Sequence, residues 1–150
     1  MKLRTYTDGG ARGNPGPAAI GVLICTADGE IIEEHSETIG EATNNVAEYK
    51  ALIEGMKKAK QLNADELDCF MDSLLVVKQL NGEYRLKHIN MQKLYDEVQK
   101  MRCQFKDVSY SHVPREEDNM RRADQLVNYA LDEAKRKVKK RLSLRGSIPS

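Results

Sequence analysis

Four carboxylates in this sequence are spaced so that a fold could bring them together. Asp8 and Asp72 each follow a run with the pattern of a β-strand, while Glu48 and Asp124 lie in segments with helical spacing of apolar residues. Four neighbouring anions would resist ionisation, and hard divalent cations such as Mg²⁺ or Mn²⁺ relieve that repulsion because carboxylates suit them as ligands. Two such ions, ~3.5–4 Å apart, can promote phosphodiester hydrolysis. The acids therefore indicate a two-metal site.

Two of these acids also have an ordinary interpretation when taken alone. Asp8 is followed by a stretch rich in Gly, Pro and Asn, residues 9–17, which we predict to be a loop. An aspartate there could simply make a local turn hydrogen bond, or the glycines could let the backbone approach a ligand closely. Glu48 falls on the flank of an apolar helical arc, where an acid is more often a surface group.

The elements that would position Asp8 and Asp72 are strands. Residues 2–7, 18–26 and 31–39 predict three consecutive strands with short links, as in an antiparallel meander. A helix capped by Thr43 or Asn44 then leads to a fourth strand over 67–72, which should run parallel to the first. Because ligands bind at the carboxyl ends of such strands, we expect the two aspartates to lie side by side.

Three helices and one strand complete the predicted domain. Residues 73–80 form a short helix, and Asn90 caps a second one whose apolar face runs to Phe105. A fifth strand covers 108–113. The last helix has Asp124 near its start and apolar residues that we predict to face inward: Ala123, Leu126, Val127, Ala130, Leu131, Ala134 and Val138.

The composition indicates one globular domain of 150 residues, with 40% hydrophobic and 31% charged residues. No apolar run approaches membrane length, so we expect a cytoplasmic protein without a membrane partner. Cys25, Cys69 and Cys103 are predicted to be buried free thiols. Residues 135–150 hold seven basic and no acidic residues, whereas the remainder holds 17 basic and 23 acidic residues. An acidic body is unusual for a nucleic-acid binder, unless its carboxylates surround cations.

Five motifs in order resemble type-one ribonuclease H, and the match covers about residues 3–134. The resemblance implies a ribonuclease H-like α/β fold, with a five-stranded mixed sheet whose first three strands are antiparallel and with flanking helices. It also implies an endonuclease that hydrolyses the RNA strand of RNA–DNA hybrids and leaves 5′-phosphate and 3′-hydroxyl ends. The motifs are Thr7-Asp8-Gly9-Gly10 with Gly13-Asn14-Pro15-Gly16, Thr43-Asn44-Asn45-x-x-Glu48, Asp72-Ser73, His112, and Ala123-Asp124.

The resemblance also implies a role for each matching residue. The four acids would hold two Mg²⁺ or Mn²⁺ ions, and His112 would be the family's mobile histidine, which shuttles a proton or aids product release. The ordinary alternative for His112 is a capped residue in a loop. Other positions would contact the hybrid, partly through 2′-hydroxyls and partly in a phosphate pocket formed by Thr43 and Asn44. These positions are Gly9, Asn14, Thr43, Asn44, Asn45 and Ser73.

The sequence departs from the family in three places. The basic, Trp-containing insertion called the handle is missing, and the chain contains no tryptophan. Val46 stands where the phosphate pocket often has an arginine. His112 and Asp124 are twelve residues apart, which is a longer spacing than the family pattern leads us to expect.

Two other functions stay open at this point: a catalytically weak module that binds hybrids or duplexes, and a DNA nuclease or strand-transfer enzyme of the same fold. The four intact acids argue against the first, and the Asn44-Asn45 and Asp72-Ser73 motifs argue against the second. We predict a monomer with a catalytic domain over 1–138 and a basic tail over 139–150. Residues 142–150 could fold back onto the body.

Overall fold

The computed structural model describes residues 1–86 and 88–147, which form one five-stranded mixed sheet and four helices. The strand order is β3-β2-β1-β4-β5, with β1 to β3 antiparallel and β4 and β5 parallel to β1. The predicted fold is therefore confirmed. The strands are β1 (Lys2–Ala11), β2 (Gly16–Thr26), β3 (Ile31–Ala42), β4 (Glu66–Met71) and β5 (Asp107–His112); the helices are α1 (Asn44–Gln61), α2 (Leu74–Leu80), α3 (Ile89–Arg102) and α4 (Asp118–Ser147).

Helices cover both faces of the sheet. Side chains alternate between the faces of a strand, so neighbouring residues contact different helices. A Cβ on Gly9 would meet the backbone of Ala47 in α1, whereas one on Gly10 would face Val127 in α4. The larger core cluster joins α1 and α3 to one face, and a smaller one joins α4 to the other through residues such as Leu23. The sheet is thus the middle layer of three.

Side-chain caps fix where the helices that adjoin the site begin. The Thr43 hydroxyl accepts a hydrogen bond from the Val46 amide at 3.2 Å, and the Ser73 hydroxyl accepts one from the Val76 amide at 3.3 Å. Each bond satisfies an amide that the first helical turn leaves without a partner. The cap at Thr43 confirms one of the two alternatives that the sequence left open for α1.

Several boundaries differ from the sequence-based prediction, and β3, predicted to end at residue 39, runs to Ala42. β1 does not end before residue 9, because residues 9–11 pair with residues 18–20 of β2, so the loop shrinks to residues 12–15. Asn90 is not the cap of α3, since His88 takes that position. Phe105 lies beyond the end of α3, although it remains buried in the larger core. Long-range pairing and packing have overridden local preference at these places.

The far end of α4 also differs from the prediction. The sequence predicts that Val138 faces inward, but it is 53% exposed and lines an open groove beside Pro17 instead of joining the core. The helix continues to Ser147 with Leu142 and Leu144 exposed, so residues 142–147 do not fold back onto the body. Residues 148–150 lie outside the described residues. The predicted boundary between 138 and 139 falls within α4 and stays a prediction.

The thiols are only partly as predicted. Cys25 and Cys69 are buried in strands, whereas Cys103 is exposed in the turn that follows α3. Within the described ranges, none of the helices has the length and apolar character needed to cross a membrane.

Candidate active site

Three of the predicted acids meet at one edge of the sheet. Asp8 lies on β1, Asp72 directly follows β4, and Glu48 lies in the second turn of α1. Pairing of β1 with β4 in parallel brings the two aspartates together, as expected from the sequence. One carboxylate oxygen from each of the three residues lies within 4.8 Å of the others. The structure therefore assembles a carboxylate cluster from three elements.

Burial makes the charges in this cluster costly. Asp8 is 5% exposed and Glu48 is 8% exposed, so the surface interpretation of Glu48 is wrong. Burial, with the nearby Asp72 charge, raises the pKa of Asp8 to about 7. Burial, followed by the Asp8 charge, raises the pKa of Glu48 well above its usual value. The pKa of Asp72 is also raised by burial. A nearby cation would favour the ionised form of all three groups.

Asp124 adjoins the cluster from the opposite face of the sheet. Its charge contributes to the raised pKa of Asp8, and it lines the same cavity of about 370 Å³. Its carboxylate contacts Arg115 Nη2 and Asn128 Nδ2, both at 3.4 Å. The structure therefore brings all four predicted acids to one cavity, with Asp124 held by side chains from α4 and the loop that precedes it.

The donor set fits a hard divalent cation. Every ligand candidate in the cluster is a carboxylate oxygen, and such ligands suit Mg²⁺ or Mn²⁺. Glu48 Oε2 is buried and has no hydrogen-bond partner among the described residues, which is expensive unless another group satisfies it. The combination of an unsatisfied buried oxygen and mutual repulsion indicates that this cavity can hold a divalent metal ion.

Two glycines allow the elements that carry the acids to approach each other closely. A Cβ on Gly9 would lie 2.2 Å from the backbone carbonyl of Ala47, immediately before Glu48. A Cβ on Gly21 would lie 2.2 Å from the carbonyl oxygen of Ala123, immediately before Asp124. The sequence suggested that the glycines after Asp8 admit a ligand; at Gly9 the close neighbour is instead the backbone of α1.

Asn14 and Asn44 brace the loop between β1 and β2 against the start of α1. Asn14 Oδ1 accepts a hydrogen bond from the Asn44 amide at 3.1 Å, and Asn44 Oδ1 accepts one from the Ala11 amide at 2.9 Å. Both residues are exposed, and among the described residues no hydrogen bond occupies their NH₂ groups, which can therefore act as donors. The brace fixes the direction in which these donors point.

The predicted substrate-binding residues near the acids are divided between two cavities. Gly9, Asn44 and Ser73 line the cavity of the acids, whereas Asn45 lines a neighbouring cavity of about 490 Å³ between α1 and the segment after α2. The Thr43 and Ser73 hydroxyls already accept hydrogen bonds as caps. Each hydroxyl still has a proton to donate to a ligand.

His112 lies nearby but does not line the cavity as far as the described residues show. It is the exposed last residue of β5, and it pairs in register with Met71, the residue before Asp72. Sequence reasoning missed Arg115, which follows three residues later and contacts Asp124 within the cavity. A cation beside an acidic segment in the loop that leads to Asp124 was the available signal.

The chain resembles known proteins over most of its length. A family model described as "Reverse transcriptase-like" matches residues 6–130. RNase H1 from the halophilic archaeon Halobacterium salinarum NRC-1 has a TM-score of 0.85 and 41% identity, covering 89% of this chain and 99% of that chain. LC11-RNase H1, solved in complex with an RNA/DNA hybrid, has a TM-score of 0.82 and 41% identity, covering 88% and 98%.

The chain belongs to the reverse transcriptase-like family, and within it to the type-one ribonuclease H proteins whose motifs it carries. The resemblance predicted from the sequence is thereby confirmed. A Mycobacterium tuberculosis relative named "Bifunctional protein Rv2228c" is 45% identical over 135 residues, which are 89% of this chain. The match is 36% of that protein, so the chain spans about a third of this curated relative's length.

Proposed function

We propose that this protein is a metal-dependent endonuclease that hydrolyses the RNA strand of RNA–DNA hybrids and leaves 5′-phosphate and 3′-hydroxyl ends. The observation that carries the proposal is the buried cluster of Asp8, Glu48 and Asp72 with Asp124 beside it. The solved complex of LC11-RNase H1 with an RNA/DNA hybrid supports the choice of substrate, since that protein shares 41% identity and this fold.

The four acids would hold two divalent cations, Mg²⁺ or Mn²⁺. Such ions, when bound, supply an activated water and stabilise the charge on the leaving oxygen. Asp8 lies on β1 and Asp72 directly follows β4, and both carboxylates belong to the cluster with Glu48, so both would hold a metal ion there. Asp124 is part-exposed and is held by Arg115 and Asn128, so water could partly replace it as a ligand.

Residues around the acids would position the hybrid. Arg115 offers a cation to a phosphate at the cavity, beside Asp124. Asn14 and Asn44 present NH₂ donors whose direction is fixed by the hydrogen bonds that their Oδ1 atoms accept, and Ser73 can donate its hydroxyl proton. Donors of this kind recognise ribose through its 2′-hydroxyl, which distinguishes RNA from DNA. We retain His112 as the proton-shuttle candidate, since it is exposed at the end of β5 and pairs in register with Met71, the residue before Asp72.

A side-by-side cleavage assay tests the proposal. Labelled RNA–DNA hybrid, double-stranded RNA and double-stranded DNA are each incubated with the protein in EDTA, Mg²⁺ or Mn²⁺. We expect cleavage of the hybrid's RNA strand, only with a metal, and loss of cleavage in Asp72→Asn with hybrid binding retained. Comparable cutting of double-stranded DNA would instead support the strand-transfer or DNA-nuclease alternative. Binding without cleavage in either metal would support the non-catalytic alternative.

Replacing single ribonucleotides tests the proposed 2′-hydroxyl contacts separately. Deoxynucleotides placed beside the preferred cut should suppress cleavage there and leave distant cuts unchanged. Cleavage that continues at the substituted position would rule out recognition through Asn14, Asn44 and Ser73.

The proposal includes a monomer in the cytoplasm. Three cysteines without a disulfide partner agree with a reducing compartment. Light scattering on the purified protein measures its mass, and a dimer would contradict this part of the proposal.

A further inference from the structure

The last part of α4 projects from the body as a strongly basic helix, which we call the basic end (residues 135–145). Each of its residues is exposed, including Val138 at 53% and Leu142 at 61%. It contains seven cations and no acid: Lys135, Arg136, Lys137, Lys139, Lys140, Arg141 and Arg145. Capping of a helix C-terminus needs one or two cations in the last turn, so this charge exceeds a capping role.

α4 leaves the body at the edge of the sheet that holds the acids. Its Ala123 packs against Gly21, which pairs with Asp8 in the register of β1 and β2. Further along, a groove of about 780 Å³ is lined by Val138 together with Pro17, at the start of β2. Since β2 starts where β1 ends, α4 runs toward the carboxyl end of β1. The basic end therefore extends beyond the active-site edge.

One stripe of α4 connects the acid cavity with the basic end. Four residues lie on one side of α4, within about 60° of one another around the helix, because they are spaced at i, i+4, i+11 and i+15. They are Asp124, Asn128, Lys135 and Lys139. Asp124 and Asn128 line the acid cavity, Lys135 lines the adjoining groove, and Arg12 lines both. The lining of the two cavities thus runs from the acids to Lys135, and Lys139 lies about one helical turn further along α4.

The excess positive charge of the basic end favours a polyanion as its partner. Arg12 and Arg136 already pair with acids, Asp132 at 2.7 Å and Glu133 at 3.0 Å. Lys135 and Lys139, by contrast, form no ion pair within the described part of the chain. A second copy of the chain would bring seven cations against seven, which disfavours self-association through this helix.

We propose that Lys135 and Lys139 bind backbone phosphates of the RNA–DNA hybrid, outside the cavity where cleavage takes place. At 1.5 Å per helical residue, they lie ~16 and ~22 Å along α4 from Asp124. For a strand that follows α4, at about 3.4 Å per nucleotide, these distances correspond to roughly five and seven nucleotides from the cut. The inference rests on the proposed hybrid substrate. The two lysines would supply a contact to the nucleic-acid backbone in a protein that lacks the basic insertion.

Two matched double variants test this assignment. Lys135→Gln/Lys139→Gln removes two charges from the stripe, and Lys137→Gln/Lys140→Gln removes the same two charges from the opposite side of the helix. Binding of a fluorescent hybrid of about 20 base pairs is measured by anisotropy in EDTA, at about 50 to 200 mM salt. We expect the slope of log affinity against log salt to fall by about 1.8 in the first variant only, since each phosphate contact contributes about 0.9.

A short hybrid provides an independent control. With only about three base pairs on either side of the cut, the duplex ends before the two lysines, and the first variant should bind it as the wild type does. Equal effects of the two double variants, or no change in either slope, would overturn the proposal. Cleavage in Mg²⁺ is recorded in parallel: if the wild type cleaves no hybrid, the proposed function fails, whereas the anisotropy result still decides the role of the lysines.

Discussion

Replacing Asp8 by Asn should stabilise the metal-free protein at neutral and higher pH while abolishing cleavage. Burial and the Asp72 charge raise the pKa of Asp8 from 3.8 to about 7. The folded protein therefore holds this proton more tightly than the unfolded chain, and its stability falls as pH rises between these two values. Three pKa units at about 1.4 kcal/mol each give a penalty of about 4 kcal/mol once Asp8 is ionised.

Urea unfolding in EDTA at about pH 5 and about pH 8 measures this penalty, because roughly two of the three pH units over which the stability falls lie between these conditions. From about pH 5 to about pH 8, the free energy of unfolding of Asp8→Asn should rise by about 3 kcal/mol relative to that of the wild type. Asp107→Asn, at an exposed position on β5, is the matched control and should gain nothing comparable. Mg²⁺ should stabilise the wild type at pH 8 more than it stabilises Asp8→Asn. An equal response of Asp8→Asn and Asp107→Asn to pH would contradict the raised pKa of Asp8.

Three further outcomes follow from the site. Glu48→Gln should lose the heat of Mg²⁺ binding in calorimetry while remaining folded, and an unchanged titration would remove Glu48 from the metal site. Arg115→Gln should lower turnover roughly tenfold or more, and by a larger factor than His112→Ala. The reason is that Arg115 lines the cavity, whereas His112 does not do so in the described residues. A larger loss in His112→Ala would assign the greater catalytic role to the histidine. Gly9→Ala should cost about 3 kcal/mol of stability, measured by urea unfolding, since its Cβ would lie 2.2 Å from the Ala47 backbone.

The sequence was sufficient where local pattern and topology agree. Asp8 lies on β1 and Asp72 directly follows β4, and the helical crossover between these strands predicts the parallel pairing that brings the two acids together. The hydroxyl of Thr43 caps α1, one of the two alternatives left open, because capping is a local interaction.

Residues whose environment comes from distant parts of the chain could not be predicted. Glu48 has the helical position of a surface acid, and its burial depends on β1 and on the end of β4. Gly9 has the local preference of a loop residue, yet pairing with Ile20 extends the strand through it. Arg115 gains its place only when the loop before α4 carries it to Asp124.

The distances between the acids depend on two glycines, Gly9 and Gly21, which have no Cβ. Gly9 admits the backbone next to Glu48, and Gly21 admits the backbone next to Asp124, each to a distance that a Cβ would forbid. A methyl at either position would push a whole helix outward and carry a carboxylate with it, even though no reactive group had been altered. In a screen of random variants, these two positions should therefore tolerate as little change as the acids themselves, although neither has a side chain that could take part in the reaction.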